Sequence, residues 1–163
     1  VHAGDAAAGV TDRRPPDGEA GRLIRRLDLE PHPEGGWFRE TWRAPAPGGA
    51  RPASTAILFL LAAGERSHWH TVDADEIWLH QAGAPLALAY GAPGRITTIE
   101  LWNGGAEGAA FQATVPATQW QAARSLGAWS LASCVVAPGF AFAGFTLAPP
   151  DWAPEGGEGF FRK

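Results

Sequence analysis

The sequence predicts an all-β domain, a sandwich or barrel behind one short N-terminal helix. Three observations carry that prediction. Short apolar or alternating runs recur at spacings of ~8–12 residues with turn signals between them. The 163 residues include 21 glycines and 14 prolines, which suits many turns joining short elements. No period of ~20–50 residues repeats, which excludes solenoids and propellers.

Residues 1–16 are Ala, Gly, Pro and charge without an apolar period, and are expected to be a disordered tail. A single domain is expected over 17–148. Leu23, Ile24 and Leu27 fall on one helical face, Asp17 is a suitable N-cap, and Pro31 and Pro33 end the helix. Strands are expected at 37–43, 55–61, 76–80, 85–90, 95–102, 110–115, 129–136 and 142–147, each closed by Gly, Pro or Asn. Residues 149–163, rich in Pro, Glu and Gly, are expected to be a loose tail.

Composition narrows the function. Apolar residues make up 45% of the chain and charged residues 18%, which argues against long disorder. With a net charge of −4, a pI near 5.7 and thinly spread basic residues, the chain lacks the basic patch of a nucleic-acid binder. The longest apolar run, 53–63, is broken by Ser54 and Thr55 and falls short of the ~20 residues that span a bilayer. Cys134 is the single cysteine, so no intrachain disulfide forms. No secretory-type apolar stretch opens the sequence, and the expectation is a cytoplasmic protein with neither membrane nor nucleic-acid partner.

The chemistry-bearing residues cluster. His68-Trp69-His70 is a His-x-His pair, and strand alternation is expected to send both imidazoles to one face. The same alternation groups Glu76, Trp78 and His80, with His80 near the turn at Gly83 and as suited to the barrel's end as to its interior. Two imidazoles and a carboxylate facing inward suit a divalent metal of the Zn, Fe, Ni or Mn type. Other motifs carry less. Glu34-Gly35-Gly36 lacks the phosphate-loop pattern, and the only lysine is Lys163, so nucleotide hydrolysis is excluded. Ser67 beside His68 is expected to point the other way, and Cys134 reads as an inert core thiol.

Read together, Gly64-x3-His68-x-His70-x5-Glu76-x6-Gly83 resembles the first conserved motif of the cupin superfamily. The second cupin motif falls on 115–121, where Pro116 matches, Thr118 replaces a glycine, and Gln121 stands in place of the last metal histidine. Five ordered segments resemble one branch, the DUF985 or cupin type 5 family. They are His32-Pro33-Glu34-Gly35-Gly36-Trp37-Phe38-Arg39-Glu40-Thr41, Ser67-His68-Trp69-His70, Asp75-Glu76-Ile77-Trp78, Trp120-Gln121-Ala122-Ala123 and Val136-Ala137-Pro138-Gly139-Phe140. The resemblance spans roughly 27–147. It implies a cupin-type double-stranded β-helix, a small jelly-roll barrel that is usually a homodimer. It implies no agreed reaction, since structural relatives include metal-free sugar-nucleotide epimerases as well as metal-binding cupins.

Two uses of the same residues stand open. In the favoured one no cofactor is needed: His70 is a base, Glu76 or Asp75 orients it, His68 and Gln121 bind substrate oxygens, and Tyr90 is a candidate opposing acid. Trp78 and Phe140, with Phe145, wall the ligand, and Arg39 and Thr41, sharing a face with Trp37, reach toward it. Tyr90 as a core residue and Arg39 in an exterior ion pair are the plainer alternatives. A small polar metabolite, sugar-like or keto, would then be isomerised, epimerised or cleaved by proton transfer. In the rival reading a divalent metal sits on His68, His70, Glu76 and Gln121 for oxygenase or lyase chemistry, although a neutral amide is a weaker ligand than imidazole. A non-catalytic ligand-binding protein with the same pocket is the third reading.

Overall fold

A computed structural model describes residues 13–105 and 107–162, so most of the expected N-terminal tail lies outside the described residues. Arg13, at the end of that stretch, is anchored rather than loose. Its guanidinium donates to Glu65 Oε1 at 2.7 Å and lies 4.6 Å over the Trp37 ring.

Helix α1 (Gly18–Arg26) buries Ala20 and Ile24 against Trp37, Leu60 and Ala62. Asp17 occupies the N-cap position, but its side chain makes no capping hydrogen bond. Glu19 in the first turn and Arg25 and Arg26 in the last suit the helix dipole instead.

Among the described residues eleven strands follow: β1 (Glu30–Pro31), β2 (Trp37–Arg43), β3 (Thr55–Ala62), β4 (Arg66–Val72), β5 (Asp75–Gly83), β6 (Leu86–Ala92), β7 (Arg95–Leu101), β8 (Gln112–Val115), β9 (Trp120–Ser125), β10 (Trp129–Ala137) and β11 (Phe145–Leu147). They form two antiparallel sheets, ordered β1-β2-β3-β10-β5-β8 and β11-β4-β9-β6-β7. The result is the expected all-β jelly-roll barrel with one short helix. Its inner core joins Phe59, Trp78 and Cys134 of the first sheet to Leu86, Leu88 and Ala123 of the second. Strand β9 was absent from the sequence expectation because Gln121, Ala122 and Ala123 are buried in succession, which hides any two-residue alternation. Residues 142–144 form a 3-10 turn, so the last expected strand shortens to β11.

Residues 149–162 correct the expectation of a loose tail. Phe160 and Phe161 pack with Trp69, Ala89 and Ala122 on the outer face of the second sheet, and Trp152 lies 4.4 Å from Trp120. Aromatic residues spaced among glycines and prolines have no strand or helix period, yet each buries large apolar area. Among the described residues no helix is long and apolar enough to cross a membrane.

Candidate functional site

A cavity of about 250 Å³ opens at one end of the barrel. Its walls are apolar, with Phe38, Ile57, Phe59, Val136, Phe140 and Phe145 among them, and its polar groups include His32, Glu34, His70 and Glu76. The alternation expected along β5 holds: Glu76, Trp78 and His80 are all buried on one face. Glu76 and Trp78 line the cavity. His80 instead closes the barrel elsewhere, donating from Nε2 to Ala84 O at 2.9 Å.

Strand β4 departs from alternation, and the departure sorts its histidines. The ladder with β9 shifts register between Ser67 and His70, so these two residues, three apart, both meet Glu34. A bulge adds one residue to the strand and turns the next side chain over. His68 is thereby directed away from the cavity. Its Nε2 donates to Pro149 O at 2.8 Å, and its ring stacks on Phe161 at 6.1 Å. The expectation that His68 and His70 share one face is corrected by that bulge.

Glu34 and His32 arrive on the loop between β1 and β2. Gly35 has φ of +105°, and a Cβ there would overlap the Arg66 carbonyl oxygen, so a side-chain-free residue lets the loop dock on β4. The His68 N–H then donates to Glu34 O at 2.8 Å. Sequence reasoning weighed Glu34-Gly35-Gly36 only as a phosphate loop and so missed both side chains. The available signal was the acid placed directly before two glycines within the His32–Thr41 motif.

The polar groups form two hydrogen-bonded sets, one on Glu34 and one on Glu76, that sense each other's charge. Glu34 Oε1 accepts from Ser67 Oγ at 2.8 Å, and Glu34 Oε2 lies 3.2 Å from His70 Nε2 and 3.5 Å from His32 Nδ1. His70 Nδ1 donates to His68 O at 2.8 Å, which fixes the tautomer and leaves Nε2 as the basic nitrogen toward Glu34. Trp78 Nε1 donates to Gln121 Oε1 at 2.8 Å, and Gln121 Nε2 donates to Glu76 Oε2 at 2.6 Å. Gln121 therefore stands behind the cavity and holds Glu76 in place.

Burial dominates the titration of both sets. Glu34, His70 and Glu76 are 8%, 2% and 6% exposed. Desolvation raises Glu34 above the ordinary carboxylate value and lowers His32 and His70 below the ordinary histidine value. Glu76 is pushed up to about 7, first by burial, with the Glu34 charge adding to the rise and His70 opposing it. Burial also raises the Cys134 thiol well above its usual range, in keeping with an unreactive core cysteine although it borders the cavity.

Other expected site residues lie elsewhere. Tyr90 packs at the edge of the inner core and does not border the cavity, because β9 separates β6 from β4. Arg39 and Thr41 are exposed, since the face they share with Trp37 is the outer one and α1 covers only its Trp37 end. Arg43 borders the cavity instead, held by Glu40 through two contacts of 2.8 Å. Phe140 and Trp78 stand in the wall as expected.

The residues do not fit the metal site that cupin kinship raises. His68 is committed to Pro149, and both ends of the Gln121 amide are taken by Trp78 and Glu76. Among the described residues no three His, Cys, Asp or Glu side chains group as ligands.

A jelly-roll barrel with a cavity of imidazoles and carboxylates among aromatic walls at its open end has the architecture of a cupin. The chain belongs to the cupin superfamily family DUF985, whose family model matches residues 21–148. Its fold is similar to that of a protein from Shewanella oneidensis, 36% identical, covering 81% of this chain and 85% of that one with a TM-score of 0.75. A hypothetical protein from Leishmania major is 30% identical, covering 80% and 88% with a TM-score of 0.70. Oxalate decarboxylase from Bacillus subtilis, 15% identical and covering 76% and 30% with a TM-score of 0.54, shares the fold alone. No curated protein matches the chain.

Proposed function

We propose that the pocket binds a small organic molecule and transfers a proton to or from it, as in isomerases, epimerases and lyases. The observation that carries this reading is Glu76, a buried carboxyl pushed up to about 7 and held by Gln121 at the wall of an apolar cavity. A group whose pKa lies near the working pH serves as both acid and base, and perturbed titration in a cleft marks functional sites. Glu76 takes the ligand proton. The Glu34–His70 pair holds a second proton that can be returned at another atom, which is what isomerisation or elimination requires. His70 acts through Glu34 here, because its basic nitrogen faces that carboxyl.

The test is hydrogen exchange at carbon. The protein is incubated in D₂O with small ring-bearing ketones, aldehydes, amines and sugars, and C–H loss is followed by NMR. Deuterium uptake into one class, at least tenfold slower with Glu76→Gln, is the expected result. Binding without uptake in any class would replace the enzyme reading by a ligand-binding one.

A further inference from the structure

We infer that the pocket selects a positively charged ligand, an organic ammonium compound whose cationic end sits against Glu76 and Glu34 within the ring of aromatic side chains. This inference rests on the pocket being a small-molecule site.

The charges that border the cavity are unequal. Three carboxyls line it, Glu34, Glu40 and Glu76, and the only guanidinium among its lining residues is Arg43. That cation is already committed: Nε and Nη2 each meet a Glu40 oxygen at 2.8 Å, and Nη2 also donates to Phe140 O at 3.4 Å. His32, His70 and Cys134 complete the titratable set, and burial favours the neutral form of all three. An anionic ligand would therefore enter a water-poor space beside two acids with no free cation to receive it. A sugar would meet walls with few hydrogen-bonding groups.

A cation meets the opposite situation. Phe59 and Trp78 pack edge to face at 5.6 Å, and Phe38 and Phe145 surround His32 at 4.6 and 6.0 Å. Aromatic faces attract organic cations, most strongly where water is excluded. A buried carboxyl that lacks a counter-ion stays protonated, and an arriving ammonium supplies that counter-ion. Binding then ionises Glu76 and releases a proton to solvent. The ionised carboxylate is the stronger base, and a C–H bond next to a cationic centre is more acidic than one in the neutral compound. Ligand charge and proposed chemistry thus support each other.

Three probes of similar size separate the charges: benzylammonium, benzyl alcohol and benzoate, each titrated calorimetrically at a pH half a unit below the Glu76 value of about 7, where most of that carboxyl still holds its proton. Benzylammonium is expected to bind at least tenfold more tightly than benzyl alcohol, and benzoate not to bind. Heats measured in two buffers of different ionisation enthalpy should show a proton released with benzylammonium alone. Glu76→Gln, checked for folding by its melting curve, should bring benzylammonium down to the level of benzyl alcohol. Benzoate binding as tightly as benzylammonium, or benzyl alcohol binding more tightly, overturns the charge preference while leaving the pocket as a ligand site. Failure of all three probes on the wild-type protein overturns the inference together with the pocket reading beneath it.

Discussion

His70 Nε2 lies 3.2 Å from Glu34 Oε2, while the other ring nitrogen is held by the His68 carbonyl. Two lone pairs brought this close without a proton would repel in a cavity that screens poorly, so one proton belongs to the pair. Desolvation raises the acid and lowers the base, and both effects move that proton toward Glu34. The pair then shares one proton, with Glu76 titrating beside it.

Glu34→Gln is expected to lower the Glu76 midpoint below about 7, because the Glu34 charge is one of the causes of its rise. A ¹³C NMR titration of the Glu76 carboxyl checks this. An unchanged midpoint would mean the two carboxyls do not sense each other.

Glu76 also makes stability depend on pH. Below its ordinary value of 4.5 the carboxyl is protonated in both folded and unfolded chains. As pH rises the unfolded chain ionises first, while the folded one keeps its proton until about 7. Stability is therefore lost between those values, approaching about 3 kcal/mol, and changes no further above. Glu34 acts in the same direction, while His32 and His70 disfavour the folded state as pH falls below the ordinary histidine value. Urea melts of wild type and Glu76→Gln isolate the Glu76 share: the variant should gain on the wild type from pH 4.5 to 8. A constant difference would contradict the raised pKa.

Trp78→Phe keeps most of the packing volume and removes the indole N–H that Gln121 Oε1 accepts. A buried amide oxygen is left without that donor, at a cost of about 1–3 kcal/mol. Denaturant unfolding should show the loss. Exchange at carbon should fall as well, since Gln121 no longer holds Glu76 at a fixed angle.

His68→Ala and His70→Ala should part company. The first releases Pro149 and the Phe161 ring, so amide exchange is expected to quicken over 149–162 while ligand binding persists. The second removes the partner of Glu34 and is expected to abolish catalysed exchange with the C-terminal segment still protected. Equal loss of ligand binding in both variants would place His68 in the pocket after all.

The barrel was legible because alternation, turn residues and the family motifs agree along β2, β3, β5, β6, β7 and β10. Glu76 and Trp78 were legible for the same reason, since β5 alternates without interruption through the site. His68 was misplaced because a bulge is a tertiary event: β4 gains its residue against β9 at the point where the distant loop carrying Glu34 packs on it. Arg39 went to the wrong face because Trp37 serves the helix rather than the cavity. The C-terminal aromatics were overlooked since they pack singly, each filling space on a surface formed by distant strands.

Glu34 comes from a loop, His70 from β4, Glu76 from β5 and Gln121 from β9. Strands β4 and β9 belong to one sheet, while β5 and the β1–β2 connection belong to the other, so the acid–base groups straddle both halves of the barrel. Nothing in a single hairpin, or in either sheet alone, reproduces the raised carboxyl beside the lowered imidazole. The chemistry comes into being when the two halves close and the water between them leaves. Slight parting of the sheets would rehydrate Glu76 and return it toward an ordinary acid before the strands themselves melt, making its titration a gauge of closure.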